Sequence, residues 1–155
     1  MLPKSSDRVA RVIKIANQIA REYDREYVGT EHVLLAILRE GHGIGAVVLA
    51  RRGVTLEGLR AEIDKLIKKQ MEETWVFGRL PGTPHFRNVM AQAIEQSQQL
   101  EANEVCTEHL LLGLLKEKGC VAYNALKALG LSYEQLRGDV LAAVSSGGTG
   151  PTGQP

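Results

Sequence analysis

The segment Thr30–Leu38, TEHVLLAIL, returns as Thr107–Leu115, TEHLLLGLL, at an offset of 77 residues. The offset continues on both sides without a gap. Forward, it pairs Leu49 with Leu126, Gly53 with Gly130, Glu57 with Glu134, and Leu59-Arg60 with Leu136-Arg137. Backward, it pairs Val28 with Val105, Ala16 with Ala93, and Val12 with Val89. The chain is therefore two copies of one unit, and whatever the first copy folds into, the second must fold into as well.

Each copy reads as four helices. Val9, Val12, Ile13, Ala16, Ile19 and Tyr23 recur at helical spacing, as do Phe86, Val89, Met90, Ala93 and Leu100 in the second copy. Ser6 and Thr83 precede these stripes as N-caps, and Pro84 stands where a first helical residue belongs. The second helix is expected to begin after Thr30 or Thr107, again as N-cap. Its body, Val33, Leu34, Leu35, Ile37 and Leu38 against Leu110, Leu111, Leu112, Leu114 and Leu115, is apolar on nearly every side, the mark of a buried helix. A short third helix covers Ile44 to Arg52 and Val121 to Leu129, each stopped by a glycine, Gly53 or Gly130. The fourth begins at Thr55 or Ser132, and Ser132-Tyr133-Glu134-Gln135 has the form of a capping box. Its inner face is Leu56, Leu59, Ile63 and Ile67, or Tyr133, Leu136, Val140 and Val144. The expected fold is all-α, two tandem four-helix repeats packed as one domain. Residues 1–71 form the first repeat, 72–82 a connector, 83–144 the second repeat, and 145–155 a Gly/Ser/Pro-rich disordered tail. A strand pattern is expected at most in Trp75–Phe77 of the connector.

Composition removes several function classes. Lys and Arg total 19 against 18 Asp and Glu, a formal net charge of +1, which offers no footprint for nucleic acid or an anionic membrane. The apolar runs are too short to span a bilayer. The basic amphipathic opening, with Asp7 and Glu22 inside it and a counterpart in the second copy, reads as a helix of the mature fold rather than a transit peptide. Cys106 and Cys120 are too far apart along a helix to bridge, and read as reduced thiols of a cytoplasmic protein. Cys106 and His109 could supply two metal ligands, but no second pair stands at a zinc spacing, so neither metal nor cofactor is expected. No nucleophile–base constellation surrounds His32 or His109, which read as structural, and the chain is not expected to be an enzyme.

The leucines, glycines and threonines of the repeat have structural duties. Glu31 and Glu108 are less easily dismissed. A carboxylate at the first position of a helix gains about 0.3–1 kcal/mol from the helix dipole, which could be its whole purpose. The other reading combines helix starts. The start of the first helix in each copy offers a hydroxyl, Ser6 or Thr83, with unsatisfied backbone N–H groups, a site for an anion. Were the start of the second helix close by, Glu31 or Glu108 would add a partner for a guanidinium. The ligand would carry both charges.

With GTEHVLLAILREGHGIGAVVL, Gly29–Leu49, and TEHLLLGLLKE, Thr107–Glu117, the chain resembles the N-terminal domain of Clp ATPases, the ClpC type in particular, over about residues 5–144. That resemblance implies a pseudo-twofold all-helical domain that receives substrates or adaptor proteins for an AAA+ unfoldase and its protease. It also implies recognition of phosphorylated arginine, with Glu31 and Glu108 on the guanidinium and Ser6 and Thr83 on the phosphate. Ser6 departs from the usual Thr, and Cys106 stands where the first copy has Gly29. No G-x-x-x-x-G-K-[ST] phosphate loop occurs in these residues. An alternative is a free-standing accessory subunit that docks on a Clp protease core.

Overall fold

The computed structural model describes residues 4–24, 28–75 and 84–145, with the backbone alone for 68–75 and 84. Eight helices fill the described residues. The first four are α1 (Asp7–Glu22), α2 (Thr30–Glu40), α3 (Ile44–Arg51) and α4 (Leu56–Trp75). The second four are α5 (Pro84–Gln99), α6 (Thr107–Lys116), α7 (Val121–Ala128) and α8 (Tyr133–Ser145). The first four residues of the expected connector continue α4. The rest of it, most of the Trp75–Phe77 segment, and 146–155 of the expected tail lie outside the described residues.

The helix ends follow the sequence signals closely. Ser6 caps α1, its hydroxyl accepting from Val9 N–H at 3.1 Å. The capping box closes at Ser132: Gln135 N–H reaches Ser132 Oγ at 3.3 Å, and Ser132 N–H reaches Gln135 Oε1 at 3.1 Å. Gly53 (φ +81°) and Gly130 (φ +85°) adopt the left-handed conformation that stops α3 and α7. Beyond them Val54 N–H bonds Leu49 O and Leu131 N–H bonds Leu126 O, both at 3.0 Å, which turns the chain into the fourth helix.

Two expectations need correction. The N-caps of α2 and α6 are Gly29 and Cys106, and Thr30 and Thr107 are already helical. On α8 the inner face is Leu136, Val140 and Ala143, whereas Val144 is 52% exposed. Ala143 lies seven positions after Leu136, on the same stripe, and Val144 is rotated off it.

The core is continuous through both copies. Val33, Leu34, Leu35 and Ile37 of α2, and Leu110, Leu111, Leu112, Leu114 and Leu115 of α6, lie in one buried cluster with Val12, Ala16, Ile19, Leu59 and Ile63. α1 packs on α2 and α5 on α6, while α4 packs on α7 and α3 on α8 across the copies. Those last two interfaces are images of one another under the offset. The two repeats are thus related by a pseudo-twofold axis and share one interior.

A two-residue parallel pairing also crosses that axis. β1 (Lys4–Ser5) pairs with β2 (Glu104–Val105), Ser5 opposite Val105, and Ser6 N–H donates to Val105 O at 2.9 Å. The entrance to α1 is thereby fastened to the entrance to α6.

Candidate functional site

The triplet Thr-Glu-His opens both central helices, and each member has its own task. The histidine caps its own helix. His32 Nδ1 accepts Gly29 N–H at 2.9 Å, and His109 Nδ1 accepts Cys106 N–H at 2.8 Å. This is the reciprocal half of a capping box, with imidazole in place of Glu or Gln. Burial holds the His109 pKa down at about 4, so the ring is neutral near pH 7, with its proton on Nε2.

The threonine caps the other repeat. Thr107 Oγ1 accepts Gly45 N–H, in the first turn of α3, at 3.1 Å, and Thr30 Oγ1 accepts Ala122 N–H, in the first turn of α7, at 3.4 Å. A Cβ at Gly43, the N-cap of α3, would run into Thr107 Oγ1, so the tighter of the two contacts requires glycine there.

The glutamate is buried with its neighbours. Glu31 is 6% exposed and Glu108 7%. Both stand at the second helical position, one later than expected, because the helices start at the threonines. The Glu31 carboxylate lies over the bare α carbon of Gly29, with Oε2 at 4.0 Å from His32 Nε2. Glu108 has no ion-pair partner among the described residues. Burial raises its pKa, opposed by its own backbone N–H.

Ser6 stands beside the segment that leads into α6, the helix of Glu108 in the opposite repeat. The β1–β2 pairing is what holds it there, so a site built on Ser6 and Glu108 would draw on both repeats. Cys106 lies close to Glu108. The Cys106 thiol bonds Glu104 O at 3.8 Å, and Cys106, Glu108 and His109 place ligand-type atoms within 4.8 Å of one another. Burial, with the carboxylates of Glu108 and Glu104, pushes the Cys106 thiol up to about 12, so it is uncharged near pH 7. These three residues do not make a metal site, because the Nδ1 lone pair of His109 holds Cys106 N–H and its Nε2 carries the proton. Thr83 lies outside the described residues, and its pairing with Glu31 is not described.

Arg8 completes the described site and was not singled out from the sequence. It faces Cys106 closely enough to lower the thiol pKa, and its Nη1 is held by Glu40 Oε2 at 3.0 Å. The offset maps Arg8 onto His85 and Glu40 onto Glu117, and that pair repeats the contact, His85 Nδ1 to Glu117 Oε2 at 2.7 Å. The repeat itself carried this signal, though the residue types differ. A hydroxyl, free N–H groups at a helix start, an arginine and a buried carboxylate can together receive a ligand bearing an anion beside a cation.

The model of the Clp repeat N-terminal domain family matches residues 4–105 and 81–154. The chain belongs to the Clp N-terminal domain family. It is 38% identical over 144 residues to a protein of Cyanidium caldarium named ATP-dependent Clp protease ATP-binding subunit ClpA homolog. That match covers 93% of this chain and 17% of the relative. It is 35% identical to the rice protein named chaperone protein ClpC1, chloroplastic, over 93% of this chain and 16% of that one. The chain thus spans about a sixth of the length of these relatives. The crystal structure of the ClpD N-terminal domain of Arabidopsis thaliana superposes with a TM-score of 0.67 at 20% identity, covering 91% of this chain and 97% of that one, a likeness of fold. Among the described residues no single helix is long and apolar enough to cross a membrane.

Proposed function

We propose that this Clp N-terminal domain is a recognition module that receives marked substrates or adaptor proteins for a Clp unfoldase and protease, and that the mark is phosphoarginine. It acts by binding rather than by catalysis. The phosphate sits at the start of α1, on the Ser6 hydroxyl and the free N–H groups, flanked by Arg8. The guanidinium pairs with Glu108. A second pocket uses Thr83 and Glu31 in the same roles. The observation that supports this reading is Glu108: a carboxylate 7% exposed, at the start of α6, to which the entrance of α1 is fastened, with no ion-pair partner among the described residues. A charge left in that state destabilises the free domain and is relieved by a cationic ligand. Two pockets on one rigid domain would favour multiply marked proteins through avidity. Both thiols are free, which suits a reducing compartment such as the cytoplasm.

Calorimetric titration with free phosphoarginine tests the reading. Glu31→Ala with Glu108→Ala should lower affinity by at least about 100-fold, the loss of a charge-assisted two-bond fork of about 3 kcal/mol or more. The double variant should keep its helical circular dichroism. Unchanged binding in that variant removes the assignment.

A further inference from the structure

The duplication breaks down on the flank of α8 that adjoins the ends of α5 and α6. In the first repeat the matching surface is closed by charge. Arg39 holds Glu22 in a two-bond fork at 3.1 Å, and Arg60 Nη2 stands 3.8 Å from the same carboxylate. Arg60 also lies over the Tyr23 ring, 5.4 Å from its centroid, and the Tyr23 hydroxyl donates to Asp64 at 2.9 Å. The offset carries both bases across, as Lys116 and Arg137. It carries neither acid: Glu22 becomes Gln99 and Asp64 becomes Leu141, while Tyr23 becomes Leu100.

The second copy of the surface is assembled from the same elements. Lys116 Nζ rests 4.3 Å from the centroid of the Tyr133 ring, whose hydroxyl donates to Gln96 Oε1 at 3.0 Å. The end of α6 and the start of α8 thus meet α5 one turn before Leu100, whose N–H bonds Gln96 O. Arg137, Leu141 and Val144 follow Tyr133 at helical spacing and share its side of α8. Neither Lys116 nor Arg137 has an ion-pair partner among the described residues. Leu141 is 38% exposed and Val144 52%, two of the three large apolar side chains exposed among the described residues. Their counterparts are the hydrogen-bonded Asp64 and the buried Ile67.

We propose that this strip, Leu100, Leu141 and Val144 edged by Lys116 and Arg137, is a docking surface for a partner protein that presents an acidic amphipathic helix. Charge complementarity selects the occupant. The partner's carboxylates take the place that Glu22 and Asp64 hold in the first repeat, and its apolar side chains cover the leucines and the valine. An apolar centre with a charged rim is the layout of a protein interface, the rim setting orientation and partner choice. From Arg137 to Val144 the strip runs about 10 Å along α8, the reach of the i, i+4 and i+7 side chains of a helix laid beside it. It shares no residue with the recognition pocket: Lys116 lies about 12 Å beyond Glu108 along α6. A docked partner and a bound mark can therefore be held at once.

The test follows amide and methyl shifts of the isotope-labelled whole chain as a peptide is added, a readout that registers weak binding. The probe is an amphipathic peptide of about 18 residues, long enough to hold a helix, with leucines on one face and glutamates along its edges. Saturable shifts should gather at the strip and stay away from Glu22 and Asp64. Gln99→Glu with Leu141→Asp restores the first repeat's acids at two exposed positions, so the fold survives. Affinity for the peptide should then fall at least about tenfold, the worth of two screened charge pairs and one apolar contact. Phosphoarginine calorimetry should be unchanged in that variant, and the same peptide with lysine for glutamate should not bind. A wild type that takes the peptide but not phosphoarginine overturns the mark and leaves the docking surface standing. Equal binding of the lysine peptide overturns the acidic partner. Absence of shifts, shifts that survive the double variant, or dimerisation of the free chain through this face in sedimentation overturns the docking surface.

Discussion

His109 makes the fold acid-sensitive, and the size of the effect can be worked out. Its ring is buried at 2% exposure and its pKa is about 4, against an ordinary 6.5. In the unfolded chain the ring protonates as pH falls through 6.5. In the folded domain it resists until about pH 4. Stability tied to this group is therefore full above pH 6.5 and declines as pH falls toward 4. At pH 4 the unfolded state has gained a factor of about 300 from protonation and the folded state only about 2, a loss of about 3 kcal/mol. The informative variant is His109→Gln. Glutamine at this position can still accept Cys106 N–H, as in an ordinary capping box, but does not titrate. Urea unfolding at pH 7 and pH 4 should show the wild type losing about 3 kcal/mol more than the variant. In thermal melts that corresponds to about 6–12 °C. His32 is present in both proteins and cancels in the difference. Parallel decline of the two proteins across this pH range would refute the burial argument for His109.

Two further outcomes follow from the same helix starts. Glu108→Gln should raise stability at pH 7 by about 1 kcal/mol, because the desolvation cost of about 1–3 kcal/mol outweighs a dipole gain of about 0.3–1 kcal/mol. The folded pKa of Glu108 is raised, so the wild type regains stability as pH falls through it, and the advantage of the variant should vanish in acid; a variant less stable at pH 7 would show that the carboxylate has an internal partner. Thr107→Val should cost about 1–3 kcal/mol in urea unfolding by stranding Gly45 N–H, and Thr30→Val less, since its bond to Ala122 is 3.4 Å against 3.1 Å; a larger loss for Thr30→Val would contradict the geometry.

The helices and the central pair were legible in the sequence because helical periodicity and cap residues act over a few positions. Ser6, Ser132, Gly53 and Gly130 all do what their residue types favour. The threonines were misplaced by one residue for a physical reason. A Gly-Thr-Glu-His string offers a good capping hydroxyl, yet the cap bond within the helix is made by the histidine ring, and the hydroxyl bonds the opposite repeat instead. The crossed composition of the site was not legible either. It depends on Ser5 pairing with Val105, a contact of two residues per strand with no periodic pattern. Arg8 was overlooked because the offset maps it onto His85, and a search for identical residues passes over a pair that differs in type while keeping its acid partner, Glu40 or Glu117.

The duplication of the nonapeptide has a cause that neither copy contains alone. Thr107 caps α3 of the first repeat and Thr30 caps α7 of the second, so a single repeat would have a buried helix start without its acceptor. Ser6 N–H bonds Val105 O of the second repeat because the first strand lies against it. Each Thr-Glu-His string therefore serves its own helix through the histidine and the opposite repeat through the threonine, and the glutamate between them is the group the recognition proposal assigns to the ligand. Sequence freedom is lowest where these duties coincide, and that is where the two copies agree. They diverge at the cap just before the string, Gly29 against Cys106, where both residues supply the same backbone N–H to the histidine ring.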